Sequence, residues 1–147
     1  MKPEEEQSRL CHQIVLEAHD AIIVADREGV IRLWNRGAEI IFGFSPAEAL
    51  GRSLHIIIPE NLRERHDQGY QRVMASGQSK YSQELLAVPA LKKDGSRISV
   101  EFTMTLIRDH QGRISGAAAI IRDVSARWEK ERALKRRLAE LEGQVKQ

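Results

Sequence analysis

His66 lies in the run Arg63-Glu64-Arg65-His66-Asp67 and is the residue of this chain best suited to chemistry. A neutral imidazole offers a lone pair to a metal, haem iron included, and an apolar setting favours the neutral form. If the segment is helical, Leu62, His66, Tyr70 and Val73 follow at spacings of four, four and three, which puts them on one face with Gly69 beside His66. His66 is therefore expected to point inward, either as a buried histidine hydrogen-bonded to a backbone carbonyl or as a metal ligand, for which Gly69 would leave room for a flat macrocycle. Asp67 should point elsewhere, because adjacent residues on a helix face different directions. His12, His19, His55 and His110 are scattered without metal-ligand spacing and read as surface or local hydrogen-bonding residues. There is no phosphate-binding glycine loop, nucleophile elbow or paired metal-ligand motif, so nothing here asks for catalysis and the chain is read as a non-enzyme.

The elements that must position His66 are legible from turns and periodicity. Residues from about Glu4 to Ala18 form an amphipathic leader helix with Leu10, Ile14 and Val15 on one side. Ala21 to Ala25 and Val30 to Trp34 are β-rich runs joined by the turn Asp26-Arg27-Glu28-Gly29, which predicts a hairpin. Short helices follow, from Gly37 to Phe42 and from Ser45, where Ser45-Pro46-Ala47-Glu48 is a capping box with proline at the first helical position and Gly51 ends the segment. Pro59 is expected to open the longer helix that carries His66, running to about Ala75 and stopped by Gly77. Three β-rich runs come next, from about Lys80 to Leu91, Arg97 to Ile107 and Ile114 to Ile121, separated by Lys93-Asp94-Gly95 and Asp109-His110-Gln111-Gly112. Ser125 is expected to cap a closing helix on which Leu134, Leu138, Leu141 and Val145 recur in the a/d spacing of a coiled coil. Two strands, short helices and three strands make an α+β domain: a five-stranded antiparallel sheet with helices across one face and a pocket between the two. The expected organisation is a leader helix over residues 1–17, one domain over 18–125 and a signalling helix over 126–147.

At 147 residues the chain suits one domain with extensions. Its net charge of +2 is mild and interspersed, which argues against nucleic acid as a partner; Lys135-Arg136-Arg137 reads as the solvated face of the closing helix, with a basic helix that contacts DNA as the rival reading. Cys11 is the only cysteine, so an internal disulfide framework and a cysteine-based zinc site are excluded. No apolar run approaches a membrane span, and a reducing, cytoplasmic setting is expected.

The run Trp34-Asn35-Arg36-Gly37-Ala38-Glu39, then Phe42-Gly43-Phe44-Ser45, Glu48 and Gly51, resembles the first half of a PAS domain. Lys93-Asp94-Gly95 before a strand and Arg122-Asp123-Val124-Ser125 before the closing helix resemble its second half. The likeness implies a sensory module whose exit helix passes a signal to an output domain such as a histidine kinase or a cyclase. Arg63, Arg65, His66, Asp67 and Arg72 resemble the motif of haem-binding PAS domains of the FixL oxygen-sensor type. That resemblance implies b-type haem with His66 as the proximal iron ligand, Arg72 and Lys80 near the propionates, and a diatomic gas (O2, CO or NO) or the redox state as the signal.

Counting from His66 to the Asp94-Gly95 turn puts Leu86 where the oxygen sensors carry a distal arginine, and Phe102 and Met104 at two apolar distal positions of one strand face. Leucine cannot donate a hydrogen bond to a bound gas. Met104 would be either core packing or a sixth, thioether ligand. The alternative readings are a PAS module that holds flavin or another small ligand, or one that holds none and only dimerises; a light-driven cysteine photocycle is disfavoured because Cys11 lies in the leader. A homodimer through the terminal helices is the expected assembly.

Overall fold

The computed structural model describes residues 2–79 and 86–145, and of Leu86 the backbone alone. The elements run α1 (Pro3–Glu17), β1 (Ala21–Asp26), β2 (Ile31–Trp34), α2 (Arg36–Phe42), α3 (Pro46–Ala49), two 3₁₀ turns (Leu54–Ile57 and Glu60–Leu62), α4 (Arg63–Ser76), β3 (Leu86–Leu91), β4 (Arg97–Arg108), β5 (Ile114–Asp123) and α5 (Ser125–Val145). The strands form one antiparallel sheet in the order β2-β1-β5-β4-β3. This is the α+β order that turns and periodicity predict.

Local chemistry sets the turns. The Asp26 carboxylate accepts from the backbone N–H groups of Glu28 and Val30, both at 3.0 Å, and Gly29 takes a φ of 78° that a side chain would resist. Asp109 does the same for Gln111 and Arg113 before β5. The capping box at α3 is complete: Ser45 Oγ accepts from the Glu48 N–H, and the Glu48 carboxylate accepts from the Ser45 N–H.

Two expectations need correction. The helix predicted from Pro59 begins instead as a 3₁₀ turn, closed by Leu62 N–H to the Pro59 carbonyl, and becomes α-helical at Arg63; Gly77, at φ 72°, ends it as expected. Ser125 does not spend its hydroxyl on a cap. It lies inside the first turn of α5, and its Oγ accepts from the Ser99 N–H of β4 at 2.9 Å.

The inner face of the sheet carries Ala21, Ile23 and Ala25 of β1, Ala117 and Ile121 of β5, Val100 of β4 and Ala90 of β3, all buried. Two clusters pack on it. The first holds Trp34, Ala38, Phe42, Phe44, Ala49 and Ile57; the second holds Ala25, Tyr70, Met74 and Ala117, with Met104 and Leu106 alongside. Asn35, 1% exposed, organises the first: Oδ1 accepts from the Ile22 and Ala38 N–H groups, while Nδ2 donates to the carbonyls of Val15, Ala18 and Asp20. That one side chain caps α2 and ties the end of α1 to β1.

Because Ala21 pairs with Ile121, α1 ends and α5 begins at the same end of the sheet, and Arg122 of β5 reaches Asp20 at 3.0 Å. Neither helix has buried residues among those described, and Leu10, Ile14, Leu134, Leu138, Leu141 and Val145 are all exposed. Among the described residues no helix is long and apolar enough to cross a membrane.

Candidate functional site

Helix α4 docks on the sheet through the second half of its apolar face. Tyr70 and Met74 are buried, Leu62, Val73 and His66 are half-buried, and the His66 side chain is 31% exposed. The Tyr70 hydroxyl donates to the Asp26 carbonyl at 2.6 Å and lies 3.3 Å from that of Ala25, which fixes this part of the helix against the end of β1. Burial, with the negative charges of Asp26 and Glu28 beside it, pushes the Tyr70 phenol up to about 12. Periodicity names the face correctly but not its centre: His66 sits one turn before the anchor, at the margin of the contact rather than within it.

The His66 ring stacks on Tyr70, with centroids 5.7 Å apart and planes at 23°. Burial pushes its pKa below the ordinary histidine value, against the opposing pull of Asp67, so the imidazole is neutral at physiological pH. Its Nδ1 lies 3.4 Å from Asp67 Oδ1. The two residues therefore do meet, although adjacency on a helix argues against it. The reason is His55, read from sequence as one of the scattered histidines. Its Nε2 lies 2.7 and 2.9 Å from the two Asp67 oxygens and draws the carboxylate across the first turn of α4. The hydrogen bond to His55 is the main cause of an Asp67 pKa below the usual carboxylate range. Sequence spacing gives no hint of this pair, which joins a 3₁₀ turn to a helix twelve residues on.

On the sheet side, Phe102 and Met104 are half-buried on the same face of β4 as Val100. Phe102 packs against the first cluster and Met104 against the second, with Tyr70 and Met74. The backbone of Leu86 pairs with Phe102. Arg72 is exposed on α4, and Lys80 lies outside the described residues. Thus His66, Gly69 and Tyr70 share one helix face, Phe102 and Met104 one strand face, and Arg72 stands apart from both.

The residues fit a flat, metal-bearing ligand on two counts. The His66 Nδ1 is turned to Asp67, so Nε2 is the nitrogen that a metal would take, and the imidazole is neutral as ligation requires. A Cβ added at Gly69, one turn further on, would meet nothing within 4 Å, so that side of the helix has open space. No group of three or more His, Cys, Asp or Glu side chains suited to a bare metal ion occurs among the described residues. A cavity of about 910 Å³ opens at the other end of α4, between Met74–Gln78, the Asp26 turn and the β4–β5 hairpin, and His66 does not line it.

Comparison with known proteins agrees with this architecture. Residues 9–124 match the model of the PAS fold. The chain is 39% identical over 118 residues, 80% of its length, to an uncharacterised protein of Azorhizobium caulinodans, and 48% identical over 48 residues, 33% of its length, to the sensor protein FixL of Bradyrhizobium diazoefficiens. It is 25% identical over 105 residues, 71% of its length, to the oxygen sensor protein DosP of Escherichia coli. It spans only 16%, 10% and 13% of those proteins. Among solved structures, the PAS domain of a Colwellia psychrerythraea protein superposes with a TM-score of 0.72 at 22% identity, covering 82% of this chain and 98% of that one. By motif, by topology and by these matches, the chain belongs to the PAS family.

Proposed function

We propose that this PAS sensor domain binds b-type haem through Nε2 of His66 and responds to a diatomic gas or to the redox state of the iron. The half-buried, neutral His66 imidazole beside the open flank at Gly69 is the observation that carries this reading. The names of two relatives, a sensor protein and an oxygen sensor protein, lend it further support. Bound haem would supply an iron centre for the gas or the electron. Phe102 and Met104 would line the opposite side, and Arg72 and Lys80 would serve the propionates. Leu86 supplies no hydrogen-bond donor, which weakens the case for oxygen over CO or NO. Met104 packs against the cluster of Tyr70 and Met74, which favours a packing role over that of a thioether ligand.

The chain's own part is to turn a change beside α4 into a change at α5. Strand β4 carries Phe102 and Met104 inward, and its neighbouring residues hold the exit helix: Ser99 through the Ser125 hydroxyl and the Val124 N–H, Glu101 through an ion pair with Arg127. A small shift of β4 therefore biases the direction of α5, a population shift between two packings. The exposed leucines of α5, with Leu10 and Ile14 of α1, fit a parallel dimer that feeds a downstream output domain. Sedimentation at high concentration giving a monomer would remove the dimer.

The deciding experiment is expression with ample haem precursor, followed by reduced, oxidised and carbon monoxide difference spectra. The expected result is a Soret band that disappears in His66→Ala. A colourless wild-type protein, or a band indifferent to that substitution, overturns the proposal. A ferrous form that is five-coordinate assigns Met104 to packing alone.

A further inference from the structure

We infer that Asp67, held by His55, is a positioning residue that selects the tautomer of His66: Nδ1 carries the hydrogen and Nε2 is left as the open base. The three side chains suffice for this selection; its extension to a bound metal rests on the function proposed above.

His55 is itself firmly placed. It lies in the Leu54–Ile57 turn, where its N–H donates to Ser53 Oγ at 3.1 Å and its carbonyl accepts from Ile58, while the preceding Leu54 N–H donates to the Gly29 carbonyl at 2.9 Å. From that anchored turn Nε2 straddles the Asp67 carboxylate almost symmetrically, at 2.7 and 2.9 Å. Both distances suit a charge-assisted hydrogen bond. An ionised carboxylate is an acceptor only. With Oδ1 at 3.4 Å, His66 Nδ1 is compatible with Asp67 when it bears hydrogen; the other neutral tautomer would turn a nitrogen lone pair toward an anionic oxygen. The pair therefore biases His66 away from the Nε2–H form that an unconstrained histidine prefers. A histidine ligand held at its second nitrogen by a carboxylate is fixed in orientation and made more basic. Here the carboxylate is in turn held from a second element, the Leu54–Ile57 turn, so its position does not depend on α4 alone. Partial exposure of all three side chains, at 36% for His55, 53% for Asp67 and 31% for His66, lets either partner be removed without emptying the core.

Long-range ¹H–¹⁵N correlation spectra of the haem-free protein at neutral pH read the tautomer directly. The expected result is Nδ1–H as the major form of His66 in the wild type and a shift of the majority to Nε2–H in Asp67→Ala. His55→Ala should give an intermediate ratio, and His55→Gln, which keeps a donor for Asp67, should restore it. Backbone amide spectra establish that each variant is folded. A wild-type His66 that is mainly Nε2–H, or a ratio that Asp67→Ala leaves unmoved, overturns the inference.

In haem-loaded ferrous protein, the iron–histidine stretching frequency should fall in Asp67→Ala, fall by less in His55→Ala, and return to the wild-type value in His55→Gln. A wild type that takes up no haem while the tautomer responds as expected defeats the haem reading alone. A loaded protein whose frequency and tautomer both ignore Asp67 defeats the positioning role alone.

Discussion

The two helical faces on the sheet are built to different tolerances. Around α2, Asn35, Trp34, Ala38 and Phe42 are essentially closed to solvent, and a Cβ at Gly37 would collide with the carbonyl groups of His19 and Asp20. Around α4, Tyr70 and Met74 are the buried side chains, His66 keeps 31% of its surface, and a Cβ at Gly69 meets nothing within 4 Å. One side is a fixed abutment and the other is loosely seated. A ligand changes packing most readily where packing is incomplete, so on the function proposed above the α4 side is where a signal would enter and the α2 side is what would hold the frame still.

Substitutions in the two regions should separate accordingly. Gly37→Ala should cost about 3 kcal/mol, at the upper end of overpacking, because the obstruction is backbone that cannot rotate away. Urea denaturation measures it, and a loss under about 1 kcal/mol would mean that the α2 side yields as readily as the α4 side.

Tyr70→Phe should cost about 1 kcal/mol through the hydrogen bond to Asp26. It also carries a pH signature. The folded phenol titrates at about 12 against an ordinary 10, so above pH 10 the unfolded chain loses its proton first. The stability contributed by the neutral phenol is complete below that value and is lost as pH rises from 10 through about 12. Melting temperatures across this window should fall less steeply in Tyr70→Phe; equal slopes would show that the phenol is not held neutral by the fold.

Gly69→Ala should move stability least and in the opposite direction, a gain of about 0.5–1 kcal/mol in the haem-free protein from helix propensity. The same variant should take up haem less well than wild type, by titration against the Soret band. A destabilised Gly69→Ala would mean that the space beside His66 is already taken.

Much of the frame is legible in the sequence because it is local. Asp26 to Gly29, Asp109 to Gly112 and Ser45 to Glu48 each complete their hydrogen bonds within five residues, so residue type and spacing are the structure. The helix face of His66 is legible for the same reason. How deep that face lies is not, because Tyr70 anchors α4 to carbonyls some 44 residues earlier. The pairing of His55 with Asp67 depends on where a 3₁₀ turn sets down relative to a helix, and the use of Ser125 depends on a strand 26 residues away. Asn35, whose contacts join three elements, reads in sequence only as part of a family motif.

The attachment of α5 has a mechanical consequence. Its base is pinned to one strand at Ser99 and Glu101, while its 21 residues extend, at 1.5 Å per residue, to roughly 30 Å. A rod clamped at one end multiplies rotation by its length: about 5° at the clamp carries the tip about 2.5 Å, half the pitch of a helix. Asp20, between α1 and β1, is tied to Arg122 at the end of β5, so the chain leaving α1 and the chain entering α5 are fixed to the same end of the sheet, and a small adjustment there is read out as a much larger displacement at the far tip of α5.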